Sequence, residues 1–524
     1  MRHDEQTRAG DTYLVKQWAY MNRILKSAEW VAQQDSHVHF VQMTSFGCGP
    51  DAFLLDEVGD ILRRHGKPFT MLKIDDVNNI GSLRLRVRSL VESLKEQGSG
   101  VGEQRPFRLT KTFSREDKQR RKLLVPFFTD YLTPIIPPIL KLEGYDFEVL
   151  PLSDGESAQL GLKYANNEVC YPATLIVGDI IKALKSGRYD PDHTAVVMSQ
   201  TGGQCRATNY IGLIKRAMLA NGFDQVPVVS FGTDSGATHN EQEGFHLNWM
   251  KIGRIVVNAL IYADIMSKFY HACVVREREK GVAARLRDKY MAALVGCIGR
   301  NDSKPLLSLI RQAALEFDAA SLTVDRPRVG IVGEIFLKFN AFAHQNLSQF
   351  LIDRNIEVVP PILMPFFMQS FVNHKASRDL HLEKGGRTGN LVVAFLYRII
   401  SRSFRRYNEA ASAYRYYHPF TDIYRDAARV KGLVSLAGQF GEGWLLPADV
   451  IGFIEEGVKN VVSLQPFGCI ANHVISKGIE RRLRQRYPDL NLLSLDFDSG
   501  VSETNVTNRL LLFIDEMTKE EREA

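Results

Sequence analysis

Short β-branched runs bounded by glycine or proline alternate with stretches of helical period along most of this chain, and that alternation predicts parallel βαβ units. From residue 37 to 100 the order is strand (HFVQMTSF), helix (DAFLLDEVGDILRRHG), strand (PFTMLKI) and helix (GSLRLRVRSLVESLKEQG). A polar, basic stretch, GSGVGEQRPFRLTKTFSREDKQRRK, then reads as a linker. The alternation resumes at LLVPFFTDY and continues through YDFEVLPL, CYPATLIVGDIIKALKSG, TAVVMSQ, NYIGLIKRAMLANG and VPVVSF. Between about 240 and 325 strand signals vanish, and WMKIGRIVVNALIYADIMSKFY and LLSLIRQAALEF predict a helical insertion. A third α/β region opens at RVGIVGEIF and contributes strands at IEVVPPI, NVVSLQPF and NLLSLDF. The expected organisation is a helical arm (1–36), a first α/β unit (37–104), a linker (105–122), a second α/β unit (123–239), a helical segment (240–325) and a third α/β unit (326–524). The fold class is therefore α/β, with several Rossmann-like parallel-sheet units and a helical insertion.

Composition narrows the function classes. At 524 residues, 45% apolar and 24% charged, the chain is too long for one core. No run of about 18 uncharged apolar residues marks a membrane span. A net charge of +6 is small for this length and argues against nucleic acid as partner. Arg84, Arg86 and Arg88 lie in a stretch whose Leu and Val spacing is helical, so they read as a solvated helix face. The N-terminal residues contain no apolar signal core, which points to a reducing, cytoplasmic compartment and against disulfides. Neither GxGxxG after a strand nor GxxxxGK occurs, and no GxSxG elbow is present. TDSGAT (Thr233 to Thr238, with Asp234) and DFDSGVSE (Asp496 to Glu503) resemble the phosphate turn of sugar-kinase-like ATPases only loosely, and read as Gly/Asp turns.

Four of the six cysteines share one context. Cys48 (VQMTSFGCGP), Cys170 (NNEVCYP), Cys205 (VVMSQTGGQC) and Cys469 (VVSLQPFGC) sit in Gly- or Pro-marked turns, three of them just beyond a predicted strand. The carboxyl edge of a parallel sheet is where ligands bind. A neighbouring glycine also lets the backbone approach a bulky inorganic ligand. Pro172 suits a first helical turn, which would set Cys170 at a helix N-terminus where negative charge is favoured. Cys273 and Cys297 lie in helical-period stretches and read as small core residues. No CxxC or CxxH pair brings two zinc ligands together locally, so the spacing ranks an iron–sulfur cluster slightly ahead of zinc.

Taken in order, SFGCGPDAF, NEVCYPATL, MSQTGGQCRATNYI, VGIVGEIFLKFN, GEGWLLPADVI, LQPFGCIANHV and LDFDSGVSETN resemble the C-terminal, non-ATPase region of the large proteins related to 2-hydroxyacyl-CoA dehydratases and their activases, over roughly residues 37 to 515. The resemblance implies an oxygen-sensitive iron–sulfur protein of anaerobic metabolism, reduced by an ATP-hydrolysing activase. The two ATPase domains that commonly precede this region are missing here, so the activase is expected to be a separate polypeptide of sugar-kinase-like fold. The four cysteine motifs also differ in arrangement from those of dehydratase subunits and double-cubane reductases.

On this reading Cys48, Cys170, Cys205 and Cys469 converge on a central 4Fe-4S cluster, with a double-cubane cluster or zinc as alternatives. His473, four residues after Cys469, is a candidate proton donor. Glu334, in the turn after VGIV, is a candidate acid or base, and Arg206, directly after Cys205, could donate to cluster sulfide or to a substrate phosphate. An acyl-CoA substrate and a homo-oligomer are compatible with the pattern. The alternatives are a non-catalytic electron-transfer or scaffold subunit with a fully ligated cluster, and a zinc-stabilised metabolic enzyme.

Overall fold

The computed structural model of the chain describes residues 12–13, 19–35, 37–45, 49–74, 80–96, 106–201, 205–232, 242–382, 387–439 and 441–523. Among them are strands β1 (Phe40–Ser45), β2 (Phe69–Ile74), β3 (Lys122–Val125), β4 (Asp146–Val149), β5 (Thr194–Gln200), β6 (Val228–Gly232), β7 (Arg328–Gly333), β8 (Glu357–Val359), β9 (Asn460–Pro466) and β10 (Asn491–Phe497). Each falls on a run that the sequence pattern marks as a strand, and every pairing described below is parallel. The α/β class is therefore as expected. The chain packs as two compact units, each drawn from separated segments. The first takes residues 1–114, 155–243 and 467–469, and the second takes 115–154, 244–466 and 470–524.

In the first unit β1 pairs with β2 from Phe40↔Phe69 to Ser45↔Ile74, and β5 pairs with β6 from Val196↔Val228 to Gln200↔Gly232. Helix Gly49–Arg64 crosses between β1 and β2 and buries Phe53, Leu54, Val58, Ile61 and Leu62 on its core side. Arg84, Arg86 and Arg88 lie exposed on helix Ile80–Glu96, as the spacing predicts, and Leu85 and Val87 of the same helix are exposed with them. Helices Gly155–Tyr164 and Tyr171–Lys185 touch at backbone distance through glycine. A Cβ on Gly178 would sit 1.7 Å from the Ser157 carbonyl oxygen, and one on Gly161 would sit 2.0 Å from that of Thr174. This close crossing holds the start of the second helix, and Cys170 with it.

The second unit contains β3 paired with β4 and a four-stranded sheet in the order β10-β9-β7-β8. Strands β7, β8 and β9 are buried almost along their whole length, as their continuous apolar runs require, whereas edge strand β10 alternates. The sequence proceeds from β7 to β8 on one side and then to β9 on the other, so the switch point of the sheet lies between β7 and β9. Helices Trp249–Val274, Val282–Gly299 and Leu306–Ala320 form the insertion, and Phe269 meets Tyr414 and Tyr417 edge-on at 5.2 and 5.6 Å in its core. Cys273 and Cys297 are buried in that core, and burial raises the Cys273 thiol to about 11, so both are packing residues as their helical spacing predicts. Among the described residues no helix is long and apolar enough to cross a membrane.

Because the close approaches at Gly178 are to backbone, they cannot be relieved by a rotamer change. Gly178→Ala is expected to lower unfolding free energy by about 1–3 kcal/mol, read by chemical denaturation, as overpacking does elsewhere.

Candidate functional site

Each of the four singled-out cysteines stands directly before a helical segment. Cys170 is the extended N-cap residue of helix Tyr171–Lys185 (φ −68°, ψ 150°), with Pro172 in the first turn. Cys205 has the same role (φ −76°, ψ 143°) for the 3₁₀ turn Arg206–Asn209, which runs into helix Tyr210–Ala220. Helix Gly49–Arg64 begins at the residue after Cys48, which itself lies outside the described residues, as does TDSGAT. Cys469 precedes the helical residues that start at Ile470. Helix starts present backbone N–H groups and a partial positive charge, and so favour negative charge at a neighbouring sulfur.

The first unit also ties these turns to one another. Arg206 is only 4% exposed, and its guanidinium packs against two glycines. A Cβ on Gly49 would lie 2.6 Å from Arg206 Nε, and one on Gly468 would lie 3.3 Å from Nη1. The residue after Cys205 thus reaches the residue after Cys48 and the residue before Cys469. Gly468 has φ +76°, a conformation that favours glycine. Cys170 Sγ lies 2.9 Å from the hydroxyl of Tyr210, the first residue of the helix that follows the Cys205 turn. The Cys170 turn is fastened to the helix after Cys48 as well, because Asn166 Nδ2 donates to the Ala52 carbonyl at 2.8 Å. Lys73 on β2 holds Glu168 of the same turn at 2.6 Å. Among the described residues no group of three or more His, Cys, Asp or Glu side chains is disposed to hold a metal ion.

Glu334 and His473 belong to the second unit. Glu334 follows β7 directly, at the switch point, and its N–H donates to the Leu464 carbonyl of β9 at 3.1 Å. Its carboxylate caps helix Ile335–Phe339 by accepting from Leu337 N–H at 2.8 Å. Glu442 accepts from Ile335 N–H on the same turn. Burial first, and then the proximity of Glu442, push Glu334 well above the carboxyl range, with the N–H groups of Leu337 and Phe336 and the Lys338 charge opposing. Glu442 is raised by burial too, against Lys338. Asp449 is pushed up to about 7 by burial, again opposed first by Lys338. Two buried carboxyl groups that meet at one short turn share protons rather than both ionising. His473 sits in a π-helical turn, Ala471–Ser476, with Nε2 3.7 Å from Asp496 Oδ1, while Lys477 Nζ is 3.1 Å from Asp496 Oδ2.

The sequence pattern singles out Glu334 but not Glu442, Asp449, Lys338 or Tyr210. A signal exists for two of them. Glu442 and Asp449 flank and interrupt the otherwise apolar run GEGWLLPADVI, where an acid needs a reason to be. No family model and no curated protein matches this chain.

The raised Asp449 carboxyl makes stability depend on pH. A carboxyl held above its unfolded value binds its proton more tightly in the folded chain, so its contribution is complete below about 4 and is lost as pH rises toward about 7. Asp449→Asn should therefore unfold later than the parent at pH 8, by on the order of 2–4 kcal/mol, with the advantage shrinking toward pH 4. Denaturant midpoints across that range are the measurement.

Proposed function

We propose that this chain is an iron–sulfur protein related to the 2-hydroxyacyl-CoA dehydratases, which takes low-potential electrons from a separate ATP-hydrolysing activase and serves a dehydratase- or reductase-type reaction on an acyl-CoA. The observation that carries the reading is the meeting of the cysteine turns on Arg206, with Gly49 and Gly468 against its guanidinium and Cys170 bonded to Tyr210. Cys48, Cys170, Cys205 and Cys469 would hold the cluster. A thiolate-bound 4Fe-4S cluster supplies one-electron transfer at strongly negative potential.

The chain's own residues supply the surroundings. Arg206 brings a permanent positive charge that offsets thiolate negative charge without being able to lose its proton. Tyr210 would donate its hydroxyl to a deprotonated Cys170. Elimination of water from a 2-hydroxyacyl thioester also needs a proton for the departing hydroxyl and an acceptor for the β-proton. The raised Glu334 carboxyl can deliver a proton near neutral pH and its partner Glu442 can share one, which supports the acid role for Glu334. His473, backed by Asp496, is the second candidate for proton handling.

Anaerobic reconstitution with iron and sulfide tests the assignment directly. The protein should take up both in near-equal amounts and absorb near ~400 nm, as Cys-ligated clusters do. Single Ser replacements of Cys48, Cys170, Cys205 and Cys469 should each lose most of the iron or convert the cluster, while Cys273→Ser and Cys297→Ser should keep it. Uptake of zinc alone, with no colour, would overturn the reading in favour of a zinc-stabilised enzyme. Loss in all four variants would identify a fully ligated electron carrier, and loss in three would leave an iron open for substrate oxygen.

A second expectation concerns the partner. The purified chain should hydrolyse no ATP by itself, because no phosphate loop is present, and ATP-dependent reduction should appear only with an added activase. Steady hydrolysis by the chain alone would return attention to TDSGAT.

A further inference from the structure

The sheet of the second unit ordered β10-β9-β7-β8 ends in two edges that are closed in different ways. Edge strand β8 is three residues long and buried throughout, so it offers little to an incoming strand. Edge strand β10 is seven residues long, and its run NLLSLDF carries one charge and neither Gly nor Pro. An edge of that length and composition is a template on which another chain can add a strand. In a parallel pair, alternate residues turn both N–H and C=O toward the same neighbour. Asn491 N–H donates to the Lys459 carbonyl at 3.1 Å, which leads into the pairing of Asn491 with Asn460. Residues 491, 493, 495 and 497 therefore bond to β9, and Leu492, Ser494 and Asp496 turn their backbone groups outward.

Two of these outward carbonyls are held by arginine. Arg484 Nη2 donates to the Leu492 carbonyl at 2.5 Å, and Arg509 Nη2 donates to the Ser494 carbonyl at 2.7 Å. The two side chains come from separate helices, Glu480–Arg486 before the strand and Glu503–Glu523 after it. Glu480 fixes the first, since its carboxylate pairs with Arg484 at 2.9 Å and accepts from Ser494 Oγ at 3.2 Å. Burial of the neighbouring Val506, Leu510 and Phe513 anchors the helix that carries the second. We propose that Arg484 and Arg509 guard this edge and keep the chain from pairing through β10 with a second copy of itself. Ser494 is the midpoint of β10, so a two-fold axis there sets Ser494 against Ser494 and Leu492 against Asp496, and each outward backbone group of one strand meets one of the other. A second copy is the partner that this symmetry fits. While the arginines hold the Leu492 and Ser494 carbonyls, acceptors that such pairing requires are taken, and joining two copies would crowd four guanidinium groups into one seam.

Sedimentation equilibrium on the full chain is the test. Arg484→Ala and Arg509→Ala together should tighten self-association over the parent by about tenfold or more, the weight of two freed carbonyl acceptors. Adding Ser494→Pro should restore the parent's behaviour, because proline removes the outward N–H and its ring obstructs an incoming strand while the bonds to β9 stay. Arg481→Ala removes a charge from the same helix and should change nothing. Hydrogen exchange at the Leu492 and Ser494 amides should slow as the double variant associates. A double variant that sediments as the parent does, association that survives Ser494→Pro, or equal association of Arg481→Ala overturns the proposal. Should the double variant fail to fold, Arg509→Ala alone, which loses one bond at the surface, should still shift association in the same direction, and parent-like sedimentation of that variant overturns the proposal as well.

Discussion

The arrangement of the first unit depends on where the guanidinium of Arg206 lies. A charged group that is 4% exposed must be surrounded closely, and backbone can approach it because Gly49 and Gly468 have no side chain to interpose. A side chain at Gly49 would clash with the guanidinium, and one at Gly468 would crowd it at 3.3 Å and also strain a positive φ. The two glycines therefore bring one cation to two loops that lie more than 400 residues apart in the chain. The cost of burying that cation is large unless negative charge accompanies it.

A parallel logic organises the second unit with the opposite sign. Its sheet reverses strand order between β7 and β9, and Glu334 leaves β7 at that reversal. Glu334 and Glu442 both answer N–H groups of the first turn of helix Ile335–Phe339. Two acids near one short turn, with one buried lysine for company, keep a proton that isolated carboxylates would have lost by neutral pH. Burial here sets acidity, whereas in the first unit it sets charge.

These two environments are held by different means. The first relies on close backbone approach at Gly49, Gly161, Gly178 and Gly468, where the absence of a Cβ is the enabling feature. The second relies on an aromatic and aliphatic core from the helical insertion, with Phe269, Tyr414 and Tyr417 edge-to-face, and on the buried ion pair Arg276–Glu357 at 2.7 Å. Truncating a core aromatic leaves a cavity, and removing one partner of the ion pair strands a charge, so both would be felt throughout the unit.

Local pattern was enough to determine the elements. The β-branched runs became β1 to β10, the long periodic run from 249 became a helix, and Cys273 and Cys297 fell into its core, because side-chain period and burial are linked residue by residue. The common context of the other cysteines was legible too, since a Gly- or Pro-marked turn before a helix, in three cases just beyond a strand, is written in a few adjacent residues. What remained hidden was every relation over long separations. That Arg206 would lie against Gly49 and Gly468, that Cys170 would meet Tyr210, and that Glu442 would come to the turn of Glu334 follow from packing, not from neighbours in the chain. The gathering of residues 467–469 with the first unit is of the same kind. Composition and periodicity constrain a residue's face and its element; only the folded chain decides which distant residue that face will touch, because that choice is made by the shapes and charges of whole elements packing together.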